Sequence, residues 1–230
     1  MKKKEFVYTG GEVLESMTEA VNYNRYLTNI ITSHVKNKHT KILDFGAGSG
    51  TYADILKKKG LDVDCMEPDS KQQKQLIRKK YRVFNKIEDI KPGSYDVIYS
   101  LNVFEHIDKD IDEFMKVSRL LKKGGTVIVY VPAFDLLFTN MDVLVEHFRR
   151  YRLRRLSSMA KKANLRIIEL EYKEPIGFFA ALTYRIIKGD GKLKPSQVRL
   201  YDKHIFPISK SLHPLTKRIF GKNAILIAKK

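Results

Sequence analysis

Residues 41–56, KILDFGAGSGTYADIL, constrain the fold more than any other stretch. A short apolar run from Lys41 to Phe45 carries Asp44 near its end. Gly46, Gly48 and Gly50 follow on alternate positions, and a helical pattern begins at Thr51 and stops at Gly60. Strand, tight turn and helix in that order open an α/β sheet. Glycine accepts unusual φ and brings no Cβ, so such a turn lets the backbone approach a ligand. The helix behind it offers unpaired N–H groups. In open parallel sheets ligands sit at the carboxyl ends of the strands, near the point where strand order reverses.

The alternation continues. LDVDCMEP reads as a second strand, Ser70–Lys80 as a polar helix and YRVFNK as a weak third strand. KPGSYDVIYSL is a turn and a fourth strand, KDIDEFMKVSRLLKKGG a helix ending in the double glycine, and TVIVYVP a continuous β-branched strand. Two more strand patterns come late, LRIIELEY at 165–172 and AILIAKK at 224–230. The long stretch between them is expected to form helices, because unstructured loops of that length are uncommon. An amphipathic helix is expected over 18–35. The apolar positions Ile176, Phe179, Ala180, Thr183, Ile186 and Ile187, with Phe178 and Leu182 widening the stripe, are expected to pack as core; a helix lying on an anionic membrane surface and a lid over a hydrophobic substrate are the alternatives.

Two ligands suit the glycine turn. A dinucleotide wants G-x-G-x-x-G, and here Thr51 stands where the last glycine belongs. S-adenosylmethionine (SAM) is the other. Glu67, at the end of the second strand, is placed to accept from ribose hydroxyls with either ligand. Beyond the turn, DFGAGSG resembles the first motif of class I SAM-dependent methyltransferases. SYDVIYSLNVFEHIDKD resembles the fourth-strand motif of small-molecule methyltransferases such as those of quinone biosynthesis. LLKKGGTVIVYVPAF resembles their next helix and strand. The resemblance covers nearly the whole chain. It implies a Rossmann-like α/β fold with a seven-stranded sheet, mostly parallel with an antiparallel last strand and helices on both faces. It also implies a single domain over 1–230, with an N-terminal helical cover (1–36) and a basic helical insert (173–222).

Carried over by that resemblance, Asp44, Gly46, Ala47 and Gly48 hold the methionine portion of SAM. Glu67 holds the ribose, Pro68, Ile87 and Glu88 flank the adenine, and Leu101 and Asn102 line the cofactor after the fourth strand. Tyr23, a candidate substrate-binding residue, lies in NYNRYL, which looks like the helix that covers the cofactor in this group. His106 follows the fourth strand and can act as a base where the nucleophile must lose a proton; a structural role for it is the alternative. VEHFRRY resembles the H-x-R-R-Y segment of a bacterial methyltransferase subgroup. That segment offers His147 and Tyr151 as catalytic candidates and Arg149 and Arg150 as partners for an anionic substrate; solvated basic residues beside a helix face led by Leu153, Leu156, Met159 and Ala160 are the alternative.

Charge bears on the partner. The formal net charge is +18. Residues 1–148 hold 23 basic and 21 acidic side chains, and residues 149–230 hold 21 and 5. So basic a last third suggests an anionic partner, or else a solvated face. The expected function is SAM-dependent methyl transfer, to oxygen by family analogy, on a small or lipid-linked anionic metabolite, with peripheral contact at the inner membrane face. An RNA methyltransferase is one alternative, with nucleic acid the weaker partner because SLNVF replaces the N/D-P-P-Y/F that base-amino methylation requires. A non-catalytic SAM-binding or membrane-surface module is another. A nicotinamide oxidoreductase fits least. The single cysteine, Cys65, excludes a disulfide framework and a multi-cysteine zinc site, and no metal site is read. No secretory signal is read, and a cytoplasmic location is expected.

Overall fold

The computed structural model describes residues 16–187 and 194–230. In chain order the main elements are α1 (Val21–Thr32), β1 (Ile42–Phe45), α2 (Thr51–Lys58), β2 (Val63–Met66), α3 (Ser70–Arg78), β3 (Val83–Phe84) and β4 (Tyr95–Leu101). There follow α4 (Asp110–Arg119), β5 (Leu121–Pro132), α5 (Asn140–Leu144), α6 (Leu153–Lys162) and β6 (Arg166–Lys173). The last are α7 (Pro175–Ile186), α8 (Pro195–Leu200), a π-turn segment (Tyr201–Ile205), α9 (Phe206–Thr216) and β7 (Asn223–Lys229). The seven strands form one sheet in the order β3-β2-β1-β4-β5-β7-β6. β1 to β5 run parallel, and β7 lies antiparallel between β5 and β6. Strand order reverses between β1 and β4, and the carboxyl ends of those two strands define the binding edge.

Side chains alternate across the sheet, so one strand feeds two cores. Ile42, Val97, Tyr99, Ile128, Tyr130, Ile225 and Ile227 face α1, α2, α3, α8 and α9. Leu43, Phe45, Ile98, Val127, Val129, Leu226 and Ala228 face α4 and α6. Residues 1–15 of the expected N-terminal cover, and 188–193 within the basic insert, lie outside the described residues.

Two boundaries differ from the sequence reading. The helix expected to run to the double glycine stops at Arg119, and LKKGG joins β5. There Tyr95 pairs with Leu121 and Val97 with Thr126, a bulge in which several residues oppose one step of β4. A Cβ on Gly125 would lie 3.0 to 3.1 Å from the carbonyl oxygens of Lys122, Asp96 and Tyr95, so the glycine makes this close approach possible.

The second difference concerns α7. Its inward side is Phe178, Ala181 and Leu182, so of the expected stripe only the two residues that widen it face the core. Phe179, Ile186 and Ile187 are exposed. Phe178 fills the space between Phe134 and Phe220, which sets the rotation of the helix.

Candidate active site

Asp44 lies at the carboxyl end of β1, 3 % exposed, and its Oδ2 accepts a 2.8 Å hydrogen bond from the Tyr99 hydroxyl. Burial pushes its pKa up to about 8, against the Tyr99 hydrogen bond and with help from the Glu67 charge. The turn that follows has left-handed backbone at Gly46, Gly48 and Gly50. Gly46 N and Ala47 N both donate to the Met66 carbonyl, which ties the turn to the end of β2. A Cβ on Gly46 would fall 2.4 Å from Val103, so the segment after β4 seats directly on this turn.

Glu67 is buried. Oε2 accepts from Gly48 N at 2.7 Å and Oε1 from Asp69 N at 2.9 Å. Burial raises its pKa and these two backbone donors oppose the rise. Each carboxylate oxygen has a second lone pair, so the group can still accept from a diol. Pro68 beside it is exposed. Ile87 is buried in a 3₁₀ turn, packed in the core. Glu88, next to it, is exposed and pairs with Lys116 at 3.1 Å. Leu101 is half-buried at the end of β4, and Asn102 is exposed with φ +54°. A buried carboxylate, a left-handed glycine turn and a diol acceptor converge at the switch point. That donor and acceptor set fits SAM.

Tyr23 of α1 is buried against Tyr130 and Phe206. Hydrogen bonding relates its hydroxyl to Asn102 and Tyr130. The N-terminus of α1 is capped from the far end of the chain. Asn22 N and Tyr23 N each donate at 2.8 Å to the Asp202 carboxylate, satisfying two of the free N–H groups of a helix start.

After β4 the 3₁₀ turn Phe104–His106 meets the segment from Thr139 to Tyr151. His106 and His147 touch edge to face, ring centroids 4.5 Å apart. Burial, and then the His147 neighbour, press the His106 pKa down to about 4. His147 Nδ1 lies 2.7 Å from Asp142 Oδ1. Asp142 also receives Arg150 through Nε and Nη2, both at 2.9 Å. Burial works to raise the Asp142 pKa, but the His147 and Arg150 hydrogen bonds hold it well below the usual carboxylate range.

This geometry corrects three of the assigned roles. Tyr151 is fully buried, and its hydroxyl donates toward Asp110 Oδ2 at 2.7 Å and Phe104 O at 2.9 Å. It is a strut in the core rather than a catalytic group. Arg149 donates to Ile107 O and Asp108 O and pairs with Asp110. Arg150 is spent on Asp142. Both guanidinium groups bind carboxylates and carbonyls of the chain itself, so neither is an open receptor for an anion. Arg155 joins them, reaching both oxygens of Asp110 at 2.9 and 2.6 Å. The residues that sequence reasoning missed here are Glu105, Asp110 and Asp142. Asp142 carries a local signal, a capping box with Thr139. Its pairing with His147 and Arg150, like the burial of Glu105 beside His106, is set by tertiary packing.

A family model described as a methyltransferase domain matches residues 19–170. A comparison with curated protein sequences found no match. Among solved structures, a SAM-dependent methyltransferase from Archaeoglobus fulgidus superposes with a TM-score of 0.63 at 14 % identity, covering 95 % of this chain and 99 % of that one. A candidate sarcosine dimethylglycine methyltransferase from Galdieria sulphuraria gives 0.63 at 18 %, covering 91 % and 86 %. Phosphoethanolamine N-methyltransferase 2 from Haemonchus contortus, in complex with SAM, gives 0.60 at 19 %, covering 99 % of this chain and 54 % of that one. At these identities the structures establish the fold, and the family match extends over most of the sheet. The chain therefore belongs to the methyltransferase-domain family and is a SAM-dependent methyltransferase.

Proposed function

We propose that this methyltransferase acts on oxygen of a lipid-linked or small anionic acceptor that it meets at an anionic membrane surface. The observation that carries this reading is the outer face of the insert. Phe179, Ile186 and Ile187 of α7, and Ile208, Leu212 and Leu215 of α9 with Ile219 just beyond it, all stand in solvent. Ile186 is 72 % exposed and Leu215 77 %. The two helices pack together, with Phe179 against Phe220 at 5.4 Å. Arg185 donates to the Leu136 carbonyl, which brings exposed Leu136 to the same end of α7. Arg185, Lys203, Lys210 and Arg218 of the same insert are exposed, with Lys210 over the Tyr26 ring and Arg218 donating to the Leu170 carbonyl. Exposed apolar side chains in a segment that also carries cations suit an interface of anionic headgroups over acyl chains. Among the described residues no helix is long and apolar enough to cross a membrane.

SAM, when bound, supplies a methyl group on a sulfonium whose leaving group is already good. The chain then has to position the nucleophile and exclude water. Asp44 and Glu67 fix the donor at the sheet edge. Tyr23, on α1, closes that edge from above together with Phe206 of α9. The oxygen acceptor rests on the resemblance of the strand-four segment to methyltransferases of quinone biosynthesis.

The test is an acceptor screen with methyl-labelled SAM. The full chain is offered lipid extract in anionic vesicles, a water-soluble metabolite pool and RNA. Label is expected in the lipid fraction or on anionic small molecules. The variant Ile186→Asp with Leu215→Asp should lower lipid labelling while retaining SAM affinity. Label confined to RNA would overturn the reading in favour of a nucleic-acid methyltransferase.

A further inference from the structure

Glu105 is fully buried, yet neither carboxylate oxygen has a hydrogen-bond partner. A carboxylate in that position is costly unless something positive meets it. The nearest guanidinium, Arg150, is already committed to both oxygens of Asp142. Arg149 and Arg155 are committed to Asp110. What does face Glu105 is a pair of imidazoles. His147 Nε2 lies 3.8 Å from Glu105 Oε1, and one ligand atom each from Glu105, His106 and His147 all fall within 4.8 Å of one another.

We propose that Glu105, His106 and His147 form a binding site for one divalent transition-metal ion of the Zn2+ class. Two imidazoles and one carboxylate are a donor set suited to zinc, iron or nickel and ill suited to magnesium. Metal–ligand distances of about 2.1 Å put neighbouring ligand atoms about 3.3 Å apart, so side-chain rotations of under an ångström or two close the site. The outer partners are in place. A metal-binding histidine donates its second ring nitrogen to a carboxylate or a carbonyl, which fixes tautomer and orientation. His147 has Asp142 at 2.7 Å on Nδ1, which leaves Nε2 toward Glu105. His106 hydrogen-bonds to the backbone at Val145 and Glu146. Asp142 is in turn held by Arg150 and by Thr139 N and Oγ1.

The ion would join two segments that are far apart in sequence. Phe148 N already donates to Glu105 O at 2.8 Å, so backbone contact brings them together and the metal locks them. The Phe104–His106 turn leaves directly from the end of β4, so the locked segment borders the cofactor edge.

Titration calorimetry with ZnCl2 and with MgCl2 on the chelator-treated full chain tests this. The expected result is one equivalent of Zn2+ bound at micromolar concentration or tighter, and no uptake of Mg2+. Glu105→Gln and His147→Gln should each weaken Zn2+ binding by about 100-fold or more, since loss of an outer partner alone costs 10–100-fold. His39→Ala, at an exposed histidine outside the cluster, should bind as the parent does. Thermal melts report whether each variant is folded. If Glu105→Gln does not fold, His147→Gln carries the comparison. Absence of Zn2+ binding by the parent chain at submillimolar concentration overturns the proposal. So does undiminished binding by either folded variant, which would place the ion elsewhere.

Discussion

Asp44 offers a test in which stability and cofactor binding should move in opposite directions. Its carboxyl is buried and its pKa is pushed up to about 8. In the unfolded chain an aspartate titrates near 3.9. The folded value is the higher one, so the contribution to stability is fully present below about pH 4 and is lost as pH rises toward 8. Between those limits the slope is about 1.4 kcal/mol per pH unit. At pH 7 the accumulated penalty is about 4 kcal/mol, an upper figure for what Asp44→Asn removes. The amide keeps an oxygen to accept from Tyr99, so that contact survives. The variant should melt higher than the parent in the absence of SAM, by roughly 16 °C at most for a chain of this size. The gain should shrink as pH falls toward 4.

The same carboxyl is the proposed holder of SAM's methionine end, and there it must ionise to meet an ammonium group. At pH 7 a group of pKa about 8 is about nine-tenths protonated, so binding should release about 0.9 proton, less about 0.1 taken up by the ligand's own amine. Calorimetry at pH 7 in buffers of different ionisation enthalpy reads this directly. The parent should release close to one proton and bind SAM; Asp44→Asn should release none and bind far more weakly. A parent that releases no proton, together with a variant that melts lower, would refute the reasoning. Asp44 would then be an ordinary structural carboxylate.

Three further outcomes follow from named contacts. Gly46→Ala must place a methyl 2.4 Å from Val103 on a backbone at φ +80°, and should lose well over 1 kcal/mol in denaturant titration; Val103→Ala should restore only the steric part. Arg150→Ala removes the guanidinium from Asp142, leaving it His147 and Thr139, and should cost about 3 kcal/mol of stability. Lost turnover with unchanged stability would instead return Arg150 to the role of an anion receptor. Asp202→Ala removes the cap of α1 and should cost about 1–2 kcal/mol, with amide exchange accelerated more at Asn22 and Tyr23 than in the sheet.

The parts of this protein that were legible in its sequence are those governed by local rules. The glycine turn, the acid closing β2 and the alternation of strands with helices depend on neighbours in the chain, and periodicity reports them. Side-chain pairing across the fold does not leave such a trace. VEHFRRY looks like an array of cations waiting for an anion until Asp110, Asp142 and the carbonyls of Ile107 and Asp108 are brought alongside. α7 shows the same limit. Its sequence is apolar nearly all round, so periodicity could not choose the inward face. Phe134 and Phe220 made the choice by accepting Phe178.

That choice has a consequence for substrate recognition. With Arg149, Arg150 and Tyr151 held by partners within the chain, the proposed function assigns substrate selectivity to α1 and the insert, and these two are joined. Asp202 caps α1, Tyr23 and Tyr26 pack edge-on to Phe206, and Arg199 reaches Glu19 at 2.9 Å. α1 thus takes its N-terminal anchor from the same insert that exposes Ile186, Leu215 and Ile219. Any force on the insert, from a bilayer or from an acyl chain, acts on α1 through charge-assisted hydrogen bonds and two aromatic contacts rather than through a flexible linker. Uncoupling the two with Asp202→Ala should therefore impair use of a lipid-presented acceptor more than use of a soluble one, a difference that loss of stability alone would not produce.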